Sequence, residues 1–387
     1  MLPELSPEDC LCLLLGRACF SEDVSRQALK MLEAGPSWQA LFRRARIHGL
    51  IPLVYRRLHA LQFRGMPEAN RGEFAQAFAI NAIRNQTLAE ELVRVLKLLD
   101  AAGVPVITLK GVVLAESLYG DDALRICADL DLLIHPKDLA VSLRLLRAEG
   151  YIDRLCGPFL IRLLASYGKD CLLLREHEKA RYSLQVHCGL IWGGPAERQL
   201  LAEIWSAAAT RPFHGAPAVA MSAEWEFLYL ALHAARHGMF PFKWLVDLDW
   251  MSARAAIDWQ SVKELAVRFG WESTIHSSLA ACALLLDTPI PEPFAAARRA
   301  APPRLFTSDP GPLQTFRETL FNLRLLPEFP RRMQFLAIRL LVPTPADCEW
   351  IRLPSSLFLL YCLLRPWRLL WKVAGWGIQA GIGLFRG

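Results

Sequence analysis

The sequence has few features of an exported, membrane-spanning or zinc-binding protein. Its ten cysteines are scattered, and no CxxC pair or Cys/His cluster has the spacing of a zinc site. The opening MLPELSPEDC carries acids where a signal peptide would need basic residues before an apolar stretch. The apolar run from Leu357 to Leu364 is far shorter than the roughly 20 residues that span a bilayer. We therefore expect a reduced, cytoplasmic and mostly soluble protein.

The charge of the chain is modest overall but uneven. With 44 basic and 38 acidic residues, the net charge of +6 is too small to indicate a nucleic-acid ligand. The tail from Arg352 onward contains no Asp or Glu. Its cations include Arg365, Arg368, Lys372 and Arg386.

The C-terminal tail also interleaves aromatic rings with these cations. It contains Trp367, Trp371 and Trp376. Such a segment can lie in a membrane interface, with its rings at headgroup depth and its cations against anionic lipid. This reading predicts a peripheral contact with the inner face of the membrane. A helix folded back on the domain and a dimer contact are the alternatives.

The spacing of apolar residues changes along the chain. It is helical from Pro7 to Leu61 and from Glu73 to Ala102, and again beyond Ser222. Between these regions, VPVITLKG and DLDLLI read as strands, each followed by a helical stretch, and DCLLLREHEKARYSLQVHCGLI reads as a hairpin. The segment Pro302–Pro312 reads as a loop. A chain of 387 residues exceeds the roughly 250 to 300 residues of a single core, so more than one domain is expected.

Two aspartates stand one residue apart in the apolar run LRICADLDLLIH. On a strand, Asp129 and Asp131 share one face, while Leu130 and Leu132 point into the core on the other. Two such carboxylates repel each other unless cations neutralise them, and hard oxygen ligands suit Mg²⁺ that carries phosphates. The pair therefore predicts a metal–nucleotide site. An exposed strand end or a turn cap is the alternative.

Residues upstream of the aspartates add features of a phosphate site. Lys110 and Gly111 stand where a strand turns into a helix. Glycine lets the backbone approach an anion, and the lysine adds a positive charge. Arg125 precedes the first aspartate by four residues, close enough in sequence to reach the same ligand.

These motifs together resemble a known family. The string LKG, a YGD turn, an arginine and DLDLLI is similar to the signature of the uncharacterised bacterial nucleotidyltransferase family, which shares the polymerase-β-like fold. RRARIHGLIPLVYRRL and LALHAARHGMFPFKWLVDLDWM resemble the N-terminal region and the helical C-terminal half of that family. The resemblance extends over roughly residues 1–260.

The resemblance implies an α+β fold with a small mixed β-sheet flanked by helical regions. It implies transfer of a nucleoside monophosphate from an NTP such as ATP to an acceptor, with Mg²⁺ or Mn²⁺ on Asp129 and Asp131. Lys110, Gly111 and Arg125 would bind the nucleotide. The predicted parts are an N-terminal helical region at 1–95, the nucleotidyltransferase core at 96–215, a helical domain at 216–345 and a basic amphipathic tail at 346–387.

One position departs from the pattern of this superfamily, whose members usually add a third carboxylate from a neighbouring strand. The resemblance places that acid where this chain has Gln185, two residues before His187. An amide can bind a metal through its oxygen but cannot act as a base. The protein therefore turns over slowly, recruits Glu176 or Glu178, or is a catalytically impaired nucleotide-binding or regulatory protein. His187 falls on the same predicted strand face as Gln185, either as a partner beside the nucleotide site or as a hydrogen-bonded structural histidine.

Two histidines and an acid lie further along the chain. His233 and His237 are four residues apart on a predicted helix, and Ala234 rules out the HExxH motif of zinc proteases. We predict that His237, with Lys243 and Asp247, lines an acceptor cleft. A structural role in the core is the alternative.

Other enzymes that use paired aspartates fit less well. A DxD glycosyltransferase usually places its aspartates after a long α/β domain, whereas here about a hundred helical residues come first. A haloacid-dehalogenase phosphatase requires Thr or Val where this chain has Leu133. The acceptor, whether a small molecule, a protein or RNA, is not specified by the sequence.

Overall fold

The fold is described from a computed structural model that covers residues 5–153, 157–167, 170–177, 180–192, 197–300, 314–326, 328–354 and 357–371. The predicted loop Pro302–Pro312, Glu178 and the tail beyond residue 371, with Lys372, Trp376 and Arg386, lie outside the described residues. The chain forms two compact units. The first unit comprises Met1–Lys97, Ile107–Asp131 and Ile204–Pro310, and the second comprises Leu98–Val106, Leu132–Glu203 and Gly311–Gly387. The four-part division of the sequence stays a prediction.

The N-terminal region is helical, as its periodicity predicts. Serines begin the first three helices: the Ser6 hydroxyl accepts the Asp9 N–H in a capping box, and Ser21 and Ser37 accept from the third residue of their helices. Gly49 has a left-handed conformation and ends the third helix. The helices are α1 (Pro7–Gly16), α2 (Glu22–Glu33), α3 (Trp38–His48), α4 (Ile51–Ala60) and α5 (Glu68–Asp100).

The described strands form one seven-stranded mixed sheet. They are β1 (Ile107–Thr108), β2 (Leu130–Leu133), β3 (Ile152–Asp153), β4 (Asp170–His177), β5 (Ala180–His187), β6 (Ala209–Thr210) and β7 (Val219–Ala220). Their order is β3-β4-β5-β2-β1-β7-β6. Strands β4 and β5 form the predicted antiparallel hairpin, whereas β1 and β7 are parallel. The predicted α+β fold, a mixed sheet flanked by helices, is confirmed.

Helices also lie between the strands. Helix α6 (Gly111–Leu114) continues as a π-helical turn, Ala115–Tyr119, and α7 (Leu139–Ala148) follows a 3₁₀ turn that begins at Pro136. The others are α8 (Gly157–Tyr167) and α9 (Arg198–Ala207). The segment after DLDLLI is therefore helical, as predicted.

The C-terminal half is helical, as its periodicity predicts. Its helices are α10 (Ala223–Arg236), α11 (Lys243–Arg254), α12 (Trp259–Arg268), α13 (Glu272–Leu286), α14 (Gln314–Leu325), α15 (Phe329–Leu341), α16 (Pro345–Trp350) and a last helix at 360–371. Fully buried Phe227, Phe242 and Trp271 belong to the core of the first unit. Among the described residues, no helix is both long and apolar enough to cross a membrane.

Candidate functional site

The turn that follows β1 lies directly against the aspartate segment. The Leu109 N–H donates to the Asp131 carbonyl at 3.0 Å, which joins the two segments through the backbone. Gly111 has φ +71°, and a Cβ added there would lie 3.4 Å from the Asp129 carbonyl oxygen. A glycine fits both the left-handed conformation and this close approach. The structure thus brings the predicted lysine–glycine turn and the paired aspartates together.

Lys110 and Asp131 form a nearly buried ion pair. The Lys110 ammonium lies 3.1 Å from Asp131 Oδ2, and their side chains are 14% and 1% exposed. Burial alone would lower the pKa of Lys110, but Tyr229, Asp131 and Asp129 outweigh it and raise that pKa. Burial raises the pKa of Tyr229 to about 12, so its hydroxyl is neutral at pH 7. At that pH the two carboxylates therefore keep Lys110 charged.

Asp129 lies in a partly buried environment. Its pKa is raised first by burial and then by the charge of Asp131, while Lys110, Lys243 and Arg125 oppose the shift. Burial and a neighbouring like charge both disfavour the ionised form. A divalent cation would relieve that repulsion, and two carboxylates are suitable oxygen ligands for Mg²⁺ or Mn²⁺.

The donor set around the aspartates is small. Within the described ranges, no group of three or more His, Cys, Asp or Glu residues is arranged to hold a metal ion. Mg²⁺ usually keeps several waters and is bound by one or two carboxylates together with substrate phosphates. Asp129 and Asp131 therefore fit a metal whose remaining ligands come from water and a nucleotide.

Arg125 makes a buried, bidentate ion pair with α11. Its Nε and Nη2 donate to the Asp247 carboxylate at 3.0 and 2.9 Å, and the Tyr119 hydroxyl donates to Asp247 at 2.7 Å. Burial would lower the pKa of Arg125, but Asp247 outweighs it and raises that pKa. The side chains of Arg125 and Asp247 are 5% and 1% exposed. The pair links the segment before the aspartates to α11, and the predicted nucleotide contact of Arg125 stays a prediction.

Two asparagines of α5 hold the same segment through its carbonyl groups. Asn81 Nδ2 donates to the Ala123 carbonyl at 2.8 Å, and Asn85 Nδ2 donates to the Arg125 carbonyl at 2.7 Å. Both asparagines are buried. Buried side-chain amides that pair with backbone carbonyls restrict the path of a loop. Sequence reasoning missed these residues. Two asparagines four positions apart in a helix with apolar periodicity do, however, indicate a polar contact on one face of that helix.

Lys243 brings another cation to this segment from the start of α11. Its ammonium donates to the Ile126 carbonyl at 3.1 Å. Its side chain runs past Gly49, where an added Cβ would lie 2.9 Å from Lys243 Cδ, too close for any larger residue. Burial, and then the charge of Arg125, lower the pKa of Lys243 to about 8, although Asp247 and Asp129 oppose the shift. The glycine that ends α3 thus leaves room for this lysine.

The shifted pKa of Lys243 predicts a dependence of stability on pH. Its pKa falls from 10.5 in the unfolded chain to about 8 in the folded protein, so between these values the unfolded chain binds more protons. The free energy of unfolding therefore rises with pH across that window. We expect the native protein to gain stability relative to Lys243→Met between pH 8 and pH 10 in urea titrations. A difference that is constant over this range would contradict the shift.

The two predicted histidines lie in an aromatic cluster of the first unit. Their ring centroids are 4.9 Å apart, and both rings contact Trp244, His233 at 4.7 Å and His237 at 4.8 Å. His237 is the C-terminal cap of α10. The contacts of both histidine rings with Trp244 are packing contacts, as expected for the alternative of a structural role. The role of His237 in an acceptor cleft stays a prediction.

Gln185 and His187 lie on β5, in the second unit. Gln185 is paired with Leu172 across the hairpin, and the His187 carbonyl accepts the Ile134 N–H at 3.0 Å. His187 Nδ1 is 4.0 Å from Asp170 Oδ2. Gln185 and His187 alternate along one strand and so share a face. Their roles beside the nucleotide stay predictions.

The proposed substitute for the third acid is at the exposed end of the hairpin. Glu176 forms an exposed ion pair with Arg181, with 3.9 Å between Arg181 Nε and Glu176 Oε1. Exposed pairs of this kind contribute little to stability.

The fold and the clustered charges are those expected of a nucleotidyltransferase-type protein. A family model described as uncharacterised nucleotidyltransferase matches residues 34–287, which is more than half of the chain. The chain therefore belongs to this nucleotidyltransferase family, and the resemblance of its motifs is confirmed. The match includes the five residues that the structure brings together around the aspartates, Lys110, Arg125, Asp129, Asp131 and Lys243.

Comparison with curated proteins gives no match. Among solved structures, the chain is similar to the crystal structure of an antigenic nucleotidyltransferase-like protein from Paracoccidioides brasiliensis. That similarity has 14% sequence identity and a TM-score of 0.32, and it covers 54% of this chain and 95% of the other.

Proposed function

We propose that the protein transfers a nucleoside monophosphate from an NTP to an acceptor at the Asp129–Asp131 site. The observation that carries the proposal is the contact of the paired aspartates with the lysine–glycine turn, at 3.1 Å between Lys110 and Asp131. Carboxylates for a metal and a cation for phosphates are thus adjacent in one site. The proposed contacts are with phosphates and do not select a base, so ATP serves as the first nucleotide to test.

In the proposed reaction, an acceptor oxygen forms a bond to the α-phosphorus of the NTP. The bond from that phosphorus to the bridging oxygen breaks, pyrophosphate leaves with the electron pair, and the acceptor proton passes to water or to a carboxylate. Bound Mg²⁺ or Mn²⁺ supplies charge neutralisation for the attacking and leaving oxygens. Asp129 and Asp131 hold that cation.

The remaining residues orient and neutralise the nucleotide. Lys110 is placed to stabilise negative charge as it moves to the leaving pyrophosphate. Gly111 lets the backbone approach the phosphates without a Cβ. Arg125, which is bidentate on Asp247, acts as a positioning residue that fixes the segment leading to Asp129. Lys243 adds charge from the other side of that segment, through its contact with the Ile126 carbonyl.

A second candidate is a nucleotide-binding protein that does not turn over. The observation that favours it is the amide of Gln185 at the position where the resemblance implies an acid. In the described residues, moreover, no third carboxylate joins the aspartates in a metal-type cluster. Binding of Mg²⁺–ATP without pyrophosphate release, with and without host lysate as a source of acceptor, would favour this candidate over the transferase.

The proposed role of Lys110 predicts that its removal weakens the binding of ATP more than the binding of AMP. We expect Lys110→Ala to weaken ATP binding by about 10- to 100-fold, the range expected for one charge-assisted contact, and AMP binding by much less. Isothermal titration with both nucleotides measures the difference. Lys30→Ala is the control, because Lys30 is an exposed lysine of α2. Equal losses for ATP and AMP would rule out a contact with the terminal phosphates.

A further inference from the structure

Polar side chains of the last described helix, at 360–371, form hydrogen bonds with other segments of the second unit. The Tyr361 hydroxyl accepts the Leu353 N–H at 2.8 Å and donates to the Ile351 carbonyl at 2.7 Å. Arg365 Nε donates to the Arg339 carbonyl at 2.9 Å. Tyr361 and Arg365 are both buried. One face of the helix is therefore fixed within the second unit.

Two cations of this helix share one carboxylate inside the second unit. Arg365 Nη1 lies 2.6 Å from Asp347 Oδ2, and Arg368 Nε contacts Asp347 Oδ1. Burial would raise the pKa of Asp347, but hydrogen bonds from Thr344 and Arg368 and the charge of Arg365 lower it. The carboxylate therefore stays ionised and holds both guanidinium groups. These two arginines are engaged by the protein and not by an external anion.

The opposite face of the helix is apolar and exposed. Its side chains recur at intervals of three and four residues and so form one stripe along the helix. Each is more than 60% exposed. We call this face the Leu–Trp stripe. Leu359, in the turn before the helix, begins it, and the helix contributes Leu363, Trp367, Leu370 and Trp371. Soluble monomers rarely expose a continuous apolar patch of this kind unless it binds something.

The charge of the sequence that contains the Leu–Trp stripe indicates what that ligand is. After Glu349 the sequence contains no acid, and Arg352 is an exposed cation of the second unit. The sequence beyond the stripe adds Lys372 and Arg386. Leucines with tryptophans, beside basic residues and without acids, are the composition of helices that lie in a membrane interface. A protein partner would more commonly be met by a polar rim of both charges.

We propose that the Leu–Trp stripe docks on the surface of a lipid bilayer. The leucines and indole rings enter the boundary between headgroups and acyl chains, and the helix lies in the plane of the membrane. Because Arg365 and Arg368 bind Asp347, the apolar stripe supplies most of the attraction and the exposed Arg352 adds an anionic preference. This proposal does not depend on the proposed transferase activity.

Co-sedimentation of the full chain with vesicles tests the proposal. The vesicles are pure phosphatidylcholine and phosphatidylcholine with phosphatidylglycerol. The variant carries Leu363→Ser, Trp367→Ser and Trp371→Ser, and the control carries Ile80→Ser and Ile83→Ser, which remove exposed apolar side chains of α5. We expect at least a tenfold loss of vesicle partitioning in the stripe variant and no loss in the control. Added salt should reduce the preference for anionic vesicles, while binding to neutral vesicles should not change.

Two results would overturn the proposal. One is equal sedimentation of the native protein and the stripe variant, including the absence of sedimentation for both. The other is a native protein that is dimeric by light scattering and becomes monomeric in the stripe variant without binding vesicles, since the stripe would then be a contact between copies. Circular dichroism measures whether both variants are folded. We expect native spectra, because all the replaced side chains are at the surface.

Discussion

Asp131→Asn is expected to abolish Mg²⁺-dependent binding of ATP, with a loss of at least about 100-fold, because the amide oxygen that replaces the carboxylate carries no negative charge to hold a divalent cation. Asp129→Asn should have the same effect, since the two carboxylates share the cation. Isothermal titration with ATP in the presence of Mg²⁺ measures both variants.

The same titration in EDTA separates the contribution of the metal to ATP affinity from that of Lys110. Without a divalent cation, the native protein and Asp129→Asn should bind ATP with similar, weak affinity through Lys110. Asp23→Asn serves as the matched control, because it removes an exposed carboxylate of α2 that pairs with nearby Arg26. If both single variants kept the full Mg²⁺-dependent affinity for ATP, the proposed metal site would be wrong.

Asp247→Ala is expected to destabilise the protein by about 3 to 5 kcal/mol, because it leaves the Arg125 charge buried without its partner. The Arg125 and Asp247 side chains are 5% and 1% exposed, and Tyr119 would lose its acceptor as well. Urea unfolding measures the loss. Arg125→Met should cost a similar amount, because it leaves the carboxylate buried instead.

A double variant distinguishes the ion pair from general damage to packing. Arg125→Met combined with Asp247→Leu removes both charges, so we expect it to be more stable than the sum of the two single losses predicts. The exposed pair Arg26–Asp23 is the control, and its loss should change stability by less than about 1 kcal/mol. Strict additivity of the two buried substitutions would show that the ion pair contributes no coupling.

The sequence patterns predicted the α+β fold class and its main elements because the signals that form those elements are local, whereas the short strands β3, β6 and β7 and the strand order were not predicted. Serine caps and 3.6-residue periodicity define α1 to α5, and two apolar runs joined by a polar turn define the β4–β5 hairpin. The lysine–glycine turn was also visible, since a glycine after a strand indicates a close backbone approach. Its contact with Asp129 follows from the pairing of neighbouring segments.

The partners of the buried charges could not be predicted in the same way. Arg125 and Asp247 are 122 positions apart, and Asn81 is 44 positions from the Arg125 carbonyl that it contacts. No local period connects residues at such distances. Local reasoning from the position of Arg125 near Asp129 therefore did not indicate the carboxylate of α11 with which it pairs.

The burial of Asp131 likewise depends on a distant residue. Alternation along β2 predicts one polar and one apolar face, yet all four of its residues are buried. A carboxylate tolerates such burial only with a compensating charge, and Lys110 provides it. In the tail, Asp347 binds Arg365 and Arg368 from 18 and 21 positions away, and the tail sequence alone does not indicate this partner.

The most direct test of the central claim is label transfer from ATP in a lysate of the source organism. The native protein with Mg²⁺ should transfer the label of [α-³²P]ATP to an acceptor and release pyrophosphate, while the label of [γ-³²P]ATP should remain on pyrophosphate. Asp131→Asn should transfer neither label. Transfer of the γ-label, or equal transfer of the α-label by the native protein and Asp131→Asn, would contradict nucleotidyl transfer at this site.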